Sequence, residues 1–338
     1  MKAVVLVGGQ GTRLRPLTET IKKELLPLVG RPSLDRVLDH LARHGVREVV
    51  LSSSYLEETF RDLLEARTGD PRITWITERE PLDTGGAIAQ AIPYLDDEPF
   101  FALNGDILTD LDLGAMAAFH RARGATVTIA LHRVEDARAF GLVAADEDGR
   151  VLAFREKPVE LVAGLINAGT YVLNPDVLQP WAPGVPVNIE REIFPTVIAD
   201  GAGVFGFTSD AYWLDLGTPE KYLQANADLL DGRVKGEPRF RTPFVDPTAV
   251  IAATATLGRH VVASASTSID EQADVDDSVL LEGARIEAGA VVRRSVLGPR
   301  SVVGAKARIH DAVLGEGATV LPGADLTGAR IPANSLAG

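Results

Sequence analysis

The chain of 338 residues contains no cysteine, which excludes disulfide bonds, cysteine-ligated zinc and thiol catalysis. It also has no apolar run near the ~20 residues that a membrane-spanning helix needs. Because Met1 and Lys2 lead directly into an apolar segment, we expect no signal peptide, no membrane contact and a cytoplasmic location. Positive charge is scarce too: 34 Lys and Arg against 47 Asp and Glu give a net charge of −13, which argues against non-specific nucleic-acid binding.

What the chain does have is enough apolar residues for a large core. It is 46% hydrophobic and 24% charged, and its length predicts two domains. An acidic protein that binds phosphate groups has to concentrate its few cations locally or use a metal ion. Lys and Arg residues beside flexible loops are therefore the informative feature of this sequence.

The first such group follows the first apolar run. Residues 3–7 are apolar and β-branched, as in a buried strand, and the glycine-rich turn 8–11 (GGQG) comes next. Backbone N–H groups in such a turn can converge on an anion, Arg13 adds a permanent charge, and Lys23 is a second cation nearby. A tight strand-to-helix connection explains the glycines alone equally well. The pattern is neither a Rossmann nor a Walker motif.

Strand and helix patterns alternate through the first third of the chain. Residues 32–45 and 56–66 have helical spacing, whereas 48–51 and 73–76 read as strands. This alternation predicts a parallel sheet covered by helices on both faces, with ligands at the carboxyl ends of its strands. A further helix is expected near residue 84, with Thr84 as its N-cap.

The complete string GGQGTRLRPLT, together with Lys23 in KKELLP, resembles the N-terminal signature of the sugar-1-phosphate nucleotidyltransferases. Lys22 and Glu24 stand where this family usually has prolines, and Asp83 stands where it often has glycine. Other segments that resemble family motifs are PLDTGG (81–86), NGD (104–106), FREKP (154–158), NAG (167–169), NIEREIFP (188–195) and WLDLG (213–217).

The resemblance implies an α/β fold with a Rossmann-like, mostly parallel sheet, and it assigns roles to individual residues. Arg13, Lys23 and Asp106 are the expected catalytic residues, and Asp106 and Asp215 are the expected Mg²⁺ ligands, although spacing alone favours a solvated turn at Asp106. The expected nucleotide contacts are Gly8, Gly9, Gly11, Thr12, Arg13, Glu78, Gly85 and Gly86. The expected sugar-phosphate contacts are Gly141, Glu156, Lys157, Asn167 and Gly169.

The spacing of the aliphatic residues changes after residue 244. Aliphatic residues recur at every sixth position, a spacing that fits neither a helix nor a single strand, and Leu280, Leu297 and Leu314 recur every 17. The repeat resembles a left-handed parallel β-helix. We therefore expect a nucleotidyltransferase domain at 1–235, a linker at 236–243, a β-helix at 244–338, and a homo-oligomer. The residues in the six-residue series are Val245, Ile251, Leu257, Ala263, Ile269, Val275 and Leu281.

Several functions stay open at this point. The set of motifs resembles the family members that use GTP and mannose 1-phosphate, with Glu78 or a carbonyl near Gly85 expected to face the guanine edge. Members that use dTTP or UTP with glucose 1-phosphate are the alternative. A non-catalytic subunit that senses nucleotide sugars is another, although all the expected cations and carboxylates are present. An acyltransferase site in the repeat is a third, with His260 or His310 as its only available imidazoles.

Overall fold

A computed structural model describes residues 1–53 and 60–338, and of Glu156 it describes the backbone alone. The described chain forms two compact units. We call Met1–Gly9 with Val37–Trp213 the sheet unit, and Gln10–Arg36 with Leu214–Gly338 the solenoid unit. This division groups residues by their contacts and has no boundary near residues 236–243. The predicted linker at 236–243 therefore stays a prediction.

The predicted helix at 32–45 is confirmed, and the one at 56–66 begins outside the described residues. The helices are α1 (Ser33–Arg43), α2 (Arg61–Ala66), α3 (Asp83–Ala91), α4 (Leu113–Ala122), α5 (Phe194–Ala199) and α6 (Pro219–Leu230). The first strands are β1 (Ala3–Leu6), β2 (Pro27–Leu28), β3 (Arg31–Pro32), β4 (Glu48–Ser53), β5 (Arg72–Thr77), β6 (Phe100–Asn104), β7 (Ile107–Thr109), β8 (Val127–Val134), β9 (Gly141–Ala145), β10 (Val151–Glu156), β11 (Gly164–Leu173), β12 (Val204–Thr208) and β13 (Trp213–Asp215).

In the described part of the sheet unit, nine strands form one sheet. Seven follow the order β10-β9-β11-β6-β1-β4-β5, and β8 joins β11 to β12. Strands β6, β1, β4 and β5 are parallel, which confirms the α/β class, whereas β9, β10 and β11 pair antiparallel. Ala3, Val4 and Val5 are fully buried, as expected for a central parallel strand covered on both faces. Both kinds of strand therefore contribute to one core.

The repeat forms a solenoid of three parallel sheets with six, six and five strands, consistent with a left-handed β-helix. Its interior is a continuous stack of aliphatic side chains, among them Ile269, Leu297 and Val320. The strands are β14 (Phe244–Val245), β15 (Val250–Ile251), β16 (Thr256–Leu257), β17 (Val262–Ala263), β18 (Ser268–Ile269), β19 (Asp274–Asp276), β20 (Val279–Leu280), β21 (Arg285–Ile286), β22 (Val291–Arg293), β23 (Val296–Leu297), β24 (Val302–Val303), β25 (Arg308–His310), β26 (Val313–Leu314), β27 (Thr319–Val320), β28 (Asp325–Thr327), β29 (Arg330–Ile331) and β30 (Leu336–Ala337).

The six-residue prediction is wrong at the two ends of its series, since Val245 is exposed and the last position is shifted by one residue. Strand β17 pairs with β20 so that Ala263 lies opposite Leu280, and Leu280 rather than Leu281 belongs to the interior stack. The reason is the corner after β19, where Asp277 adopts a positive φ of 43° and the chain turns one residue earlier. From this corner onward each coil has 17 residues, as the pairing of Leu280 with Leu297 shows.

The segment 10–36 of the solenoid unit is tied to α6 and to the chain just before the repeat. The Val29 N–H donates to Asn226 Oδ1 at 2.8 Å, and the Tyr222 hydroxyl donates to the Pro27 carbonyl. Arg36, almost fully buried, pairs with Glu237. These contacts fix the second half of the segment that carries Arg13 and Lys23. In residues 1–53 and 60–338, no helix combines the length and apolar character needed to cross a membrane.

Candidate active site

The glycine-rich turn needs glycine at one position for a steric reason. Gly11 has a φ of +59°, and a Cβ placed on it would lie 2.9 Å from Thr18 Cγ2 and 3.2 Å from Lys23 Cβ. The Thr18 hydroxyl donates to the Gly11 carbonyl at 2.7 Å, which holds the turn closed. A short 3₁₀ helix, Thr12–Leu14, follows directly. The predicted phosphate loop thus packs its backbone against the stem of Lys23, while Gly8 and Gly9 belong to the sheet unit.

Arg13 lies beside the predicted metal ligand Asp215. Its Nη2 is 3.9 Å from Asp215 Oδ2, and Lys221 Nζ is 3.3 Å from the same oxygen. A Cβ on Gly217 would overlap the Arg13 guanidinium, so glycine at this position is what allows the approach. Two cations therefore converge on one carboxylate, and the sequence analysis predicted this contact for neither Arg13 nor Lys221.

Lys23 lies in a second short 3₁₀ helix, Lys23–Leu25, and faces an unusual neighbour. Its Nζ is 3.6 Å from the carboxylate of Glu24, which is completely buried. A buried carboxylate is costly without a nearby cation, so this pair restricts where the Lys23 ammonium can lie. The replacement of the family's usual proline by Glu24 thus supplies a counter-ion.

The carboxylates of Asp106 and Asp215 suit a hard divalent cation, although in the described residues no group of three or more His, Asp and Glu side chains is arranged to hold a metal ion. Mg²⁺ is usually held by one or two carboxylates together with substrate phosphates and water, so such a cluster is not needed. Asp215 ends β13 and is mostly buried. Asp106 lies in the sheet unit, in the turn between β6 and β7. The preceding residue, Gly105, lies close to β1, since a Cβ added to it would be 2.9 Å from the Leu6 carbonyl oxygen.

The PLDTGG segment is shaped by its neighbours in the sheet unit. The Gly85 and Gly86 N–H groups both donate to the Val187 carbonyl, at 2.9 and 3.0 Å. A Cβ on Gly85 would lie 2.6 Å from Ile193 Cδ1, and one on Gly86 would lie 2.5 Å from the Val185 carbonyl. The close approach that these glycines permit is therefore to the chain at 185–193.

One prediction for this segment is wrong, and a second, for nearby Glu78, stays untested. Thr84 is not the N-cap of α3: the helix begins at Asp83, and the Thr84 hydroxyl instead accepts from the Ile189 N–H at 3.1 Å. Glu78, expected at the guanine edge, is buried and accepts from the Leu82 N–H at 2.8 Å and from the Ser52 hydroxyl at 3.3 Å. Glu78 thus fixes the turn before α3, and a role in base contact stays a prediction.

The NGD and NAG motifs lie side by side on paired strands. Thr170 of β11 pairs with Leu103 of β6, which places Gly169 against Asn104. Gly169 has a φ of +68°, and a Cβ there would lie 2.6 Å from Asn104 Nδ2. The structure therefore joins two motifs that lie about sixty positions apart in the sequence.

The predicted sugar-phosphate residues come from three adjacent strands. Glu156 of β10 pairs with Gly141 of β9, whose neighbour Leu142 pairs with Ile166 of β11. Lys157 has a positive φ of 46°, and its N–H donates to the Phe140 carbonyl at 3.0 Å. The side chain of Glu156 lies outside the described residues.

Asn167 is the centre of a polar network that includes an unpredicted residue. Its Nδ2 donates to the Tyr171 hydroxyl at 2.7 Å and to Glu190 Oε1 at 3.2 Å, and its Oδ1 accepts from the Gly169 N–H at 3.0 Å. Glu190 precedes α5 in a turn of π-helix, Ile189–Ile193, where Asn188 caps the first N–H groups. π-Turns are often found at functional sites.

Trp213 borders the same motif. Its indole N–H donates to the Ala168 carbonyl at 2.9 Å, the His132 ring stacks on it at 5.2 Å, and the Phe140 ring meets it edge-on at 5.4 Å. Burial lowers the pKa of His132, so the stacked imidazole is neutral near pH 7. Trp213, with His132 and Phe140 packed on it, thus supports the backbone of the NAG motif.

Sequence reasoning missed Lys221 and assigned no role to Glu190 within its motif. Lys221 lies in the first turn of α6, where a cation opposes the helix dipole, and that local mismatch is a signal of a nearby negative partner. The side chain of Asn188 caps the start of the helical turn, so the side chain of Glu190 is not needed as a cap. A carboxylate that is not needed for capping is available for another contact.

A separate groove of ≈ 270 Å³ in the solenoid unit contains none of the residues predicted for nucleotidyl transfer, although His260, the candidate of the acyltransferase alternative, lines it. Leu223, Ala227 and Val313 form its apolar floor. Its arginines are already engaged, since Arg294 pairs with Asp311 and Arg330 pairs with Glu220. This groove is therefore not where the motifs place chemistry.

Two family descriptions match the chain. Residues 2–232 match the family described as Nucleotidyl transferase, and residues 241–335 match the one described as GMPPB C-terminal domain. The first match contains every residue that the motifs assigned to the site. The second covers the solenoid.

Individual proteins match along nearly the whole chain. Mannose-1-phosphate guanylyltransferase of Mycobacterium tuberculosis is 39% identical over 302 residues, which cover 86% of this chain and 83% of that protein. The catalytic subunit beta of the Danio rerio enzyme is 36% identical over 353 residues and covers 97% of each chain. Among solved structures, HddC from Yersinia pseudotuberculosis complexed with GMP-PN has a TM-score of 0.60 and 29% identity, over 68% of this chain and 99% of that chain.

Proposed function

Because the chain belongs to the nucleotidyl transferase family and joins a nucleotidyl group to a sugar 1-phosphate, we propose that its substrates are GTP and mannose 1-phosphate. The products are then GDP-mannose and pyrophosphate. The specific substrates are supported by relatives named mannose-1-phosphate guanylyltransferase, which match 83% and 97% of their own lengths. HddC, whose complex contains GMP-PN, is a further similar protein.

The observation that carries the proposal is the concentration of positive charge around the Gly11 turn in a protein with a net charge of −13. Gly11 packs on Lys23, and Arg13 approaches Asp215 next to Lys221. Such a local group of cations is what a triphosphate requires from an acidic protein.

The reaction follows from charge and position. An oxygen of the sugar phosphate attacks the α-phosphorus of GTP, a new P–O bond forms, and the bond from the α-phosphorus to the bridging oxygen breaks to release pyrophosphate. Both reactants are anions, so alignment and charge neutralisation supply most of the acceleration. The attacking phosphate is already ionised near neutral pH, and no general base is needed.

We assign each residue the step that its chemistry allows. Arg13 donates to the leaving pyrophosphate, and Lys23 neutralises the α-phosphate where the nucleophile enters. Lys157 binds the phosphate of the sugar. The network of Asn167 and Glu190 orients the sugar hydroxyls: both amide hydrogens of Asn167 hold the network in place, and the carboxylate of Glu190 can accept from a hydroxyl.

Asp106 and Asp215 would hold the divalent metal that this family uses, and we propose Mg²⁺. When bound, the ion withdraws charge from the phosphate oxygens. We also propose that the protein acts in the cytoplasm as a homo-oligomer. Light scattering on purified protein tests the oligomeric state.

The test is pyrophosphate release from GTP, dTTP, UTP, ATP and CTP, each with mannose 1-phosphate or glucose 1-phosphate, with Mg²⁺ and with EDTA. We expect a signal with GTP and mannose 1-phosphate that EDTA abolishes. A signal confined to dTTP or UTP with glucose 1-phosphate would replace the substrates and keep the reaction. If no combination of substrates released pyrophosphate, although the protein is folded and still binds GDP-mannose, the chain would instead be a regulatory subunit.

A further inference from the structure

The ion pair between Lys221 and Asp215 links the first turn of α6 to the end of β13, six residues earlier in the chain. Thr218 caps α6 by accepting from the Lys221 N–H at 3.4 Å, and Pro219 occupies the first helical position. Because side chains on a helix lean towards its N-terminus, Lys221 is directed back to the end of β13. Its Nζ reaches Asp215 Oδ2 at 3.3 Å.

The position of Lys221 is electrostatically unfavourable without that partner. A cation in the first turn of a helix is repelled by the partial positive charge of the unpaired N–H groups. Arg13 adds a second positive charge 3.9 Å from the same Asp215 oxygen. The side chain of Asp215 is only 12% exposed, so solvent screens this arrangement weakly.

The shared oxygen creates a competition. A carboxylate oxygen that accepts from an ammonium presents less negative charge to a divalent cation, and the two positive charges repel each other if both are present. Lys221 therefore opposes a metal ion at Asp215 as long as it remains hydrogen-bonded there. A polyanion that arrives with the metal removes this penalty, because it attracts the released ammonium.

We propose that Lys221 is a positioning residue that neutralises Asp215 in the nucleotide-free protein and lowers its affinity for divalent metal, so that metal loading depends on the nucleotide. This inference rests on the proposed function, specifically on Asp215 as a metal ligand. Lys221 acts through Asp215 and through the phosphates.

The test measures Mn²⁺ binding directly, by the loss of the free-Mn²⁺ electron paramagnetic resonance signal, on the full chain with and without GTP. In Lys221→Met we expect affinity without nucleotide to rise about three- to tenfold, because one competing charge is removed. With GTP present the gain should shrink or reverse. Lys221→Arg keeps the charge and should bind Mn²⁺ like the wild type. Lys306→Met, on an exposed corner of the solenoid, is the matched control.

Unchanged or weaker Mn²⁺ binding by nucleotide-free Lys221→Met, with an unaltered melting temperature, would overturn the proposal. Asp215→Asn separates this result from a failure of the metal assignment. If Asp215→Asn binds Mn²⁺ as well as the wild type in the presence of GTP, Asp215 is not a ligand and both inferences fall. If Asp215→Asn loses Mn²⁺ while Lys221→Met shows no gain, only the role of Lys221 is wrong.

Discussion

Glycine serves one purpose in the site segments and another at the corners of the solenoid. Gly85, Gly169 and Gly217 each occupy a place where a side chain would collide with a neighbour. At one series of solenoid corners, by contrast, Gln272, Gly289, Lys306 and Gly323 follow one another at intervals of 17, all with positive φ. The corner needs a backbone conformation, and glycine is only one residue that adopts it.

The comparison shows that glycine is required for different structural reasons in the two sets of positions. In the site segments glycine marks a close approach, and replacement moves a functional group. At this series of solenoid corners it marks a turn that a neighbouring coil makes with Lys or Gln. The strict positions of the solenoid are instead its interior aliphatic residues, each of which stacks on the equivalent residue of the coils before and after it.

The largest effect should come from the solenoid interior. Leu297 is fully buried in the aliphatic stack, so Leu297→Ala removes apolar contacts and leaves a cavity. We expect the free energy of unfolding of the solenoid to fall by about 2–5 kcal/mol, measured by urea denaturation. Arg308→Ala, an exposed change further along the same coil, is the control and should cost much less. Equal losses from both variants would show that interior stacking is not what limits stability.

A smaller effect, on activity rather than on stability, is expected at Gly217. A methyl group in Gly217→Ala would displace the flexible Arg13 guanidinium from Asp215. We expect kcat/KM to fall about 10- to 100-fold, as for a misplaced charge-stabilising donor, with little change in melting temperature. Gly203→Ala, where a Cβ has only ordinary contacts, is the matched control. Full activity in Gly217→Ala would mean that Arg13 does not need this approach.

The solenoid corner should tolerate what the site segment does not. Gly323 has a φ of +74°, and a Cβ there would meet nothing within 4 Å. Gly323→Asn should therefore cost less than about 1 kcal/mol, since Asn enters the left-handed region readily, and should leave kcat/KM unchanged. A loss of several kcal/mol in the urea titration would refute the view that these corners depend on conformation alone.

The same contrast explains how much could be predicted from the sequence. Periodicity predicted the interior of the solenoid from Ile251 to Val275, because each coil repeats the one before it. It failed at Leu281, where a shortened corner at Asp277 shifts the interior position to Leu280. A spacing rule carries no information about the length of an individual corner.

For the site, the motifs identified the segments but not all of their partners. The pairing of β6 with β11 explains why the NGD and NAG motifs occur together, and both were found. The contacts of Glu190 with Asn167 and of Lys221 with Asp215 depend on where helices begin against strand ends. The packing of Gly85 against Val187 could not be predicted for the same reason, because Val187 is a hundred positions away.

The smallest predicted effect lies where the solenoid repeat meets the end of α6. His260 Nδ1 lies 3.0 Å from Asp277 and Nε2 lies 3.1 Å from Asp231, the residue that follows α6. Partial burial lowers the pKa of His260, but the two carboxylates outweigh it and raise the pKa above its usual 6.5. Arg259 and Arg233 also face Asp231 and keep it charged.

The sign of the pH dependence follows from that raised pKa. The stabilisation from charged His260 is complete below pH 6.5 and is lost as the pH rises through the folded-state pKa. His260→Gln should therefore be less stable than the wild type at pH 6, by about 1 kcal/mol or less as for a partly exposed ion pair, and the two should converge by about pH 9. Chemical denaturation across this range measures the difference. A gap that stays constant with pH would show that His260 contributes by packing rather than by charge.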